Sequence, residues 1–157
     1  MHPFKIAQEL LRSLQFFHDC GYLYRNLHPS HVMLSYDNNI VLLDLKKMKK
    51  FVDIKGKVID LKGNDEDEEL DEFVANSRIK NSVEGRKDDL ECLGYLTLYM
   101  LEGKLPWNAD NMVQVRSKLL LNQIFGKYPG LLKFMIEVHK LPTHEMPNYN
   151  MLSELLQ

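Results

Sequence analysis

A polar loop, two short apolar runs and one aspartate follow each other within residues 24–46, and this order constrains the fold more than any other feature. The apolar runs occupy residues 32–34 and 40–43, and the turn formers of residues 36–39 (Tyr-Asp-Asn-Asn) separate them. Apolar and β-branched runs bounded by turn formers are typical of a β-hairpin. We therefore predict a loop that leads into a hairpin and ends at Asp44.

Most other apolar residues recur at intervals of three or four, the spacing of helices that bury one face. The predicted helices cover residues 4–20, 82–103, 110–125, 130–141 and 148–157. One or two short strands are expected around Gly56. These elements predict an α+β fold that is mainly α.

The chain has 157 residues, which is enough for one domain over residues 1–157 with a real core. A formal net charge of −2 gives no electrostatic argument for binding nucleic acid or an anionic membrane. No apolar run approaches the roughly 20 residues of a membrane span. We predict no nucleic-acid or membrane partner, and a location in the cytoplasm or another intracellular compartment, within a large assembly.

An acidic loop is predicted at about residues 63–73. Seven of the eight residues 65–72 are acidic, and such a block repels itself. It is interpreted either as an exposed surface loop or as a docking strip for a basic partner. The acidic residues of this strip are Asp65, Glu66, Asp67, Glu68, Glu69, Asp71 and Glu72.

The loop, hairpin and aspartate resemble the catalytic loop and the metal-binding loop of protein kinases. Tyr24, Arg25 and Asn26 occupy the places of the family's His-Arg-Asp, and of these Arg25 matches; Pro29 matches the family's later proline. Asp44 matches the aspartate of the family's Asp-Phe-Gly motif. By this resemblance Asp44 is a vestigial metal-binding position.

The resemblance fails at positions that carry the family's chemistry. Asn26 replaces the catalytic aspartate, and an amide has no titratable carboxylate. His28 stands at the lysine position, and His31 stands where the family places an asparagine that binds metal. Lys46 replaces a glycine, and we expect it to adopt the unusual backbone conformation of that glycine only at a cost. The sequence therefore predicts no functional catalytic residue and no ATP or magnesium cofactor.

Residues 86–95 and 103–107 resemble the casein kinase 1 branch, whose members carry a near-identical Arg-Arg-Asp-Asp-Leu-Glu-Ser-Leu-Gly-Tyr stretch followed by Leu-Pro-Trp. The resemblance covers nearly the whole chain and corresponds to the C-terminal lobe of a kinase. It implies that Asp89 holds the catalytic-loop backbone, and it places Gly94 and Trp107 at structural positions.

The resemblance implies a kinase-like C-terminal lobe with a small hairpin and without the N-terminal lobe. We interpret the chain as an enzymatically inactive pseudokinase that acts as a protein-binding or structural module. Its predicted partner covers the face that the N-terminal lobe covers in complete kinases, including Leu45, and contacts the acidic strip. Two alternatives stay open: part of a Ser/Thr protein kinase whose N-terminal lobe is supplied elsewhere, and a regulator that competes for the partners of casein kinase 1 relatives.

Overall fold

A computed structural model describes residues 1–62 and 69–157. Seven helices are present in these residues. They are α1 (Pro3–Asp19), α2 (Asn76–Ile79), α3 (Arg86–Glu102), α4 (Met112–Lys118), α5 (Leu121–Phe125), α6 (Pro129–Lys140) and α7 (Tyr149–Leu155). The strands are β1 (Tyr22–Leu23), β2 (Val32–Leu34), β3 (Ile40–Leu42), β4 (Lys49–Lys50), β5 (Leu61–Lys62) and β6 (Val83–Glu84). The predicted fold class, α+β and mainly α with a small hairpin, is confirmed.

Helix α3 lies at the centre of the helical core, between α1 and α6. Its residues are buried from Asp88 to Leu98 on every face, which explains why apolar residues occur on every face of the helix from Leu90 onward. The contact with α6 is close at Gly94, where a Cβ atom would lie 1.9 Å from the Met135 Sδ. The absence of a side chain at Gly94 therefore allows α3 and α6 to approach each other.

The strands form three separate antiparallel pairs among the described residues: β1 with β4, β2 with β3, and β5 with β6. The β2–β3 pair is the predicted hairpin, with Val32 opposite Leu42 and Leu34 opposite Ile40. It packs on α1, whose apolar stripe also faces α3 and α7. The loop that precedes the hairpin is thereby held between β1 and the start of β2.

Two predicted helices differ from those in the structure. Residues 110–125 form α4 and α5 instead of one helix, because Leu119 and Leu120 are extended, with ψ of 136° and 156°. Residues 82–85 precede α3, and two of them form β6. Around Gly56, where one or two short strands were predicted, the structure has an isolated β-bridge between Val52 and Val58.

Candidate functional site

Asp89, at the N-terminal end of α3, holds the loop that follows β1. Its carboxylate accepts hydrogen bonds from the backbone N–H groups of Tyr24 and Arg25, each at 2.8 Å. The Nε2 atom of His18, in the last turn of α1, lies 2.8 Å from the same carboxylate. The other ring nitrogen of His18 lies 2.7 Å from the Tyr149 hydroxyl. All of these atoms are buried, so the loop backbone is fixed from three helices.

His18 is the residue of this network that the sequence did not reveal. From the sequence alone, its position in the last turn of α1 is consistent with a capping or packing role. The structure shows a histidine with 3% exposure that bridges two residues far away in the chain. No spacing in the sequence relates position 18 to position 89, because the contact depends on how α1 and α3 pack.

Arg25 connects the same loop to the segment that precedes α3. Its Nε donates to Glu84 at 2.9 Å and its Nη1 donates to the Lys47 carbonyl at 3.0 Å. Arg78, on α2, donates to the Arg25 carbonyl at 2.7 Å and lies 3.6 Å from the Glu84 carboxylate. Burial raises the pKa of Glu84, and the two guanidinium groups oppose this rise. The resulting network joins the loop, α2 and β6.

The remaining polar groups of the loop converge on Asp44. The Asn26 Nδ2 donates to the Asp44 carbonyl at 3.1 Å. The Nδ1 atom of His31 lies 2.9 Å from the Asn26 carbonyl, and its Nε2 lies 3.6 Å from the Asp44 carboxylate. The Tyr24 hydroxyl donates to the Leu43 carbonyl at 2.5 Å, immediately before Asp44. The substituted positions Asn26 and His31 therefore form one contiguous site with Asp44.

Asp44 has a left-handed backbone, with φ of 56° and ψ of 79°. Its carboxylate accepts a hydrogen bond from the Lys46 N–H at 3.3 Å, and this bond lowers the pKa of the exposed carboxyl group. Lys46 itself lies in a short 3-10 turn, Leu45–Lys47. Lys46 has no positive φ, so it does not adopt the unusual backbone conformation and the expected cost does not arise there.

His28 lies beside this site and does not face Asp44. Its Nδ1 accepts a hydrogen bond from the Ser30 N–H at 3.1 Å and so caps the short turn Pro29–His31. Its ring packs edge-on against Phe73, with 5.1 Å between the ring centroids. At the position where the family has a lysine, this chain therefore has an imidazole that packs and caps.

The residues present do not fit the two-magnesium centre of the kinase family. That centre uses the Asp-Phe-Gly aspartate and the catalytic-loop asparagine, and Mg²⁺ prefers oxygen ligands. Here Asp44 offers oxygen, but His31 presents an imidazole nitrogen to the same space. Across residues 1–62 and 69–157, no three His, Cys, Asp or Glu side chains are grouped so that they could hold a metal ion. The prediction that the chain uses no cofactor stays a prediction.

The contacts of Trp107 hold the chain segment that precedes α2. Its Nε1 donates to the Glu72 carbonyl at 2.8 Å. The Arg116 guanidinium lies over the Trp107 ring at 4.6 Å and over the Tyr95 ring at 4.3 Å. The same guanidinium donates to the carbonyls of Val74 and Glu72. These contacts fix the chain between the acidic strip and α2.

The predicted partner-binding residues fall into two groups. Leu45 is 51% exposed, and the hairpin also carries exposed apolar side chains, such as those of Met33 and Leu34. In the acidic strip, the Asp71 carboxylate accepts a hydrogen bond from the Phe73 N–H at 2.8 Å, so it caps a local turn. Glu69 and Glu72 are also described, whereas Asp65, Glu66, Asp67 and Glu68 lie outside the described residues. Their predicted role in binding a partner stays a prediction.

The chain is similar to known protein kinases along almost its whole length. A probable casein kinase I homologue of Encephalitozoon cuniculi is 27% identical, over 96% of this chain and 52% of the relative. A probable serine/threonine-protein kinase of Dictyostelium discoideum is 28% identical, over 97% of this chain and 32% of the relative. The B1 kinase of Variola virus is 28% identical, over 96% of this chain and 56% of the relative. No protein-family model matches the chain.

These similarities confirm the resemblance to casein kinase I and to Ser/Thr protein kinases. The chain spans about half the length, or less, of these relatives, which agrees with a match to the C-terminal lobe. Among the helices of the described residues, none has the length and apolar character needed to cross a membrane. The predicted location and assembly stay predictions.

The prediction that the chain is not an enzyme is wrong. Its relatives carry the names of kinases, and those names oppose an assignment without enzymatic activity. The prediction rested on the loss of a carboxylate at Asn26 and of an oxygen ligand at His31. These substitutions change the chemical groups that the loop presents. They are not observations of inactivity.

Proposed function

We propose that this chain is the C-terminal lobe of a casein kinase I-like Ser/Thr protein kinase whose N-terminal lobe is supplied by another segment or polypeptide. One observation carries the proposal: the Asp89 carboxylate holds the backbone of Tyr24 and Arg25 from inside the core. Such an arrangement fixes the loop that meets the substrate hydroxyl in this class of enzyme.

Asn26 has the central role in this proposal. Its amide nitrogen is oriented towards the Asp44 carbonyl, so the amide oxygen is the group that can accept a hydrogen bond from a substrate hydroxyl. An amide orients the hydroxyl but cannot take up its proton. Because phosphoryl transfer depends mostly on positioning and on electrostatic stabilisation, this loop supports a slow reaction without a general base.

The exposed apolar surface of the hairpin supports the second part of the proposal, a contact with a protein. We define this hairpin surface as Met33, Leu34, Leu43 and Leu45, which are between 37% and 51% exposed. Exposed apolar side chains in this number on a short segment commonly mark protein contacts. We assign the hairpin surface to the N-terminal lobe, since it lies beside the substituted catalytic loop.

A nuclear magnetic resonance titration of the labelled chain with the N-terminal lobe of the Encephalitozoon cuniculi homologue tests this contact. Amide shifts should change first at the hairpin surface, and Leu45→Asp should weaken binding at least about tenfold, because it places a charge in an apolar contact. The matched control is Leu120→Asp, because Leu120 is 67% exposed and lies between α4 and α5. Equal weakening by both variants, or shifts confined to other surfaces, would refute the assignment.

A further inference from the structure

A cavity of about 250 Å³ lies where α2, β6, the first turns of α3 and the end of α6 meet, and we call it the α2–α3 cavity. Side chains from all four elements line it, among them Ser77, Val83, Asp88 and Val138. Pockets for drug-sized ligands commonly have volumes of roughly 300–1,000 Å³. The α2–α3 cavity is therefore suited to a ligand group about as large as one amino acid.

Two buried polar atoms of this cavity have no hydrogen-bond partner among the described residues. Asp88 is 5% exposed, and its Oδ2 accepts a hydrogen bond from the Gly85 N–H at 2.6 Å. The Ser77 hydroxyl is near enough to lower the pKa of Asp88, but neither the Ser77 Oγ nor the Asp88 Oδ1 has a hydrogen bond of normal geometry. Because buried polar atoms are almost always paired, these two atoms are available to a ligand that donates hydrogen bonds.

The inner end of the α2–α3 cavity has a negative charge. Glu91 is buried and lines the cavity together with Asp88. Burial raises the pKa of Asp88, and the neighbouring carboxylates of Glu91 and Glu84 raise it further. A positively charged donor beside Asp88 would favour the ionised form of its carboxyl group. The inner end therefore favours a cationic group.

The outer end of the cavity has the opposite charge. Lys80 is exposed just after α2, and Lys87 is half-buried in the first turn of α3. The exposed ring of His139, on α6, also lines the cavity. Ammonium groups that reach solvent at the entrance attract an anionic group. The cavity as a whole therefore matches a ligand that is cationic at one end and anionic at the other.

We propose that the α2–α3 cavity binds a guanidinium compound that also carries a carboxylate, supplied either as free arginine or as the C-terminal arginine of a peptide. The guanidinium would donate to the Asp88 Oδ1 and the Ser77 Oγ, and the carboxylate would face Lys80 and Lys87. A guanidinium suits the inner end better than an ammonium does, because its fork of donors reaches two acceptors and its faces are weakly hydrated. The site is separate from the proposed kinase activity, because none of its residues belongs to the loop of Asn26 or to Asp44.

Calorimetric titrations of the whole chain with Nα-acetyl-arginine test the proposal at about pH 8, where most of the Asp88 carboxyl, with its pKa of about 7, is ionised. We expect saturable binding. Nα-acetyl-citrulline lacks the charge of the guanidinium and agmatine lacks the carboxylate, so each should bind at least about tenfold more weakly. Free arginine distinguishes the two sources: binding as tight as that of Nα-acetyl-arginine admits both, and weaker binding selects the C-terminal residue of a peptide. No saturable binding of either arginine compound, or equal binding of the citrulline compound, would overturn the proposal.

Variants of the cavity identify the groups that bind. Asp88→Asn keeps an acceptor for the Gly85 N–H and removes the charge, so it should weaken binding of Nα-acetyl-arginine at least about tenfold. The double variant Lys80→Ala with Lys87→Ala keeps Asp88 and should remove the preference for Nα-acetyl-arginine over agmatine. The matched control Lys118→Ala removes an exposed lysine at the end of α4 and should bind as the wild type does. Unchanged binding in Asp88→Asn, or a full preference in the double lysine variant, would contradict the assignment.

Discussion

The His18 Nε2 lies 2.8 Å from the Asp89 carboxylate, and both side chains are almost completely buried. This contact joins the end of α1 to the start of α3 at the point where Asp89 also holds the backbone of Tyr24 and Arg25. When one member of a buried, hydrogen-bonded pair is removed, the other member is left without a hydrogen-bond partner, because water cannot reach it. The stability of the helical core and the shape of the loop therefore depend on the same atoms.

Removal of the Asp89 carboxylate should strongly destabilise the protein. Asp89→Ala leaves the backbone N–H groups of Tyr24 and Arg25 unpaired, so the free energy of unfolding should fall by about 3 kcal/mol or more. Urea denaturation measures this change. The control Asp110→Ala removes an exposed carboxylate near the start of α4 and should change stability by less than about 0.5 kcal/mol. Equal stability of the two variants would contradict the role of Asp89.

The Tyr149 hydroxyl should contribute to the same network through His18. Tyr149→Phe keeps the ring in place and removes the partner of the His18 Nδ1, which lies 2.7 Å away. The expected loss of unfolding free energy is roughly 1 kcal/mol, the usual value for one buried hydrogen bond. In the double variant with Asp89→Ala, this loss should shrink, because both changes act on His18. Strict additivity would show that the two contacts are independent.

Asp88 should make stability depend on pH. Burial raises the pKa of its carboxyl group from 3.8 to about 7, so the folded protein binds this proton more tightly than the unfolded chain does. The stabilisation is complete below about pH 4 and is lost as the pH rises through about 7. Asp88→Asn keeps the neutral form at every pH. Urea denaturation at about pH 5 and about pH 8 should show a smaller fall in stability for this variant than for the wild type.

Other titratable groups near Asp88 also contribute to the pH dependence of stability, in the wild type and in the variant alike. Burial also raises the pKa of Glu84, so part of the pH dependence should persist in Asp88→Asn. Glu91, Lys80 and His139 line the same cavity and are common to both proteins. The difference between the two pH profiles therefore isolates Asp88. Parallel profiles would show that Asp88 does not titrate in this range.

A methyl group at position 94 should disturb the packing of α3 against α6. In Gly94→Ala the new Cβ would lie 1.9 Å from the Met135 Sδ unless that side chain or the helix moves. Overpacking of this kind typically costs 1–3 kcal/mol, and thermal unfolding should report it. Met135→Ala should relieve the clash, so the double variant should lose less stability than the sum of the two single changes. If the stability losses of the two single variants simply add in the double variant, the strain does not arise between residue 94 and Met135.

The sequence predicted the hairpin and the central helix because their signals are local. Apolar runs around a turn define β2 and β3, and an all-round apolar pattern defines α3. The resemblance to the kinase family identified Asn26, Asp44 and Asp89 as residues of the site. The break at Leu119 was not predicted, since the apolar spacing of residues 110–125 continues across it and tertiary packing decides the backbone there.

The polar contacts of the site could not be predicted, because they join residues that only the fold brings together. His18 meets Asp89 through the packing of α1 on α3, and Arg25 meets Glu84 through the path of β6. Asp44 has a left-handed backbone that the sequence did not indicate, whereas Lys46 has none. Periodicity gives the buried face of an element, but it does not give the partner of a side chain on that face.

Phosphoryl transfer by this chain together with the N-terminal lobe of a casein kinase I homologue tests the proposed function most directly. With radiolabelled ATP and casein, the pair should transfer phosphate slowly, and Asp44→Ala should abolish the transfer. Asn26→Asp should raise the rate by roughly 10²–10⁴-fold, because it restores a general base in a loop that is already held by Asp89. If the two polypeptides bind each other and neither wild-type Asn26 nor Asn26→Asp transfers phosphate, the chain is not the lobe of a working kinase.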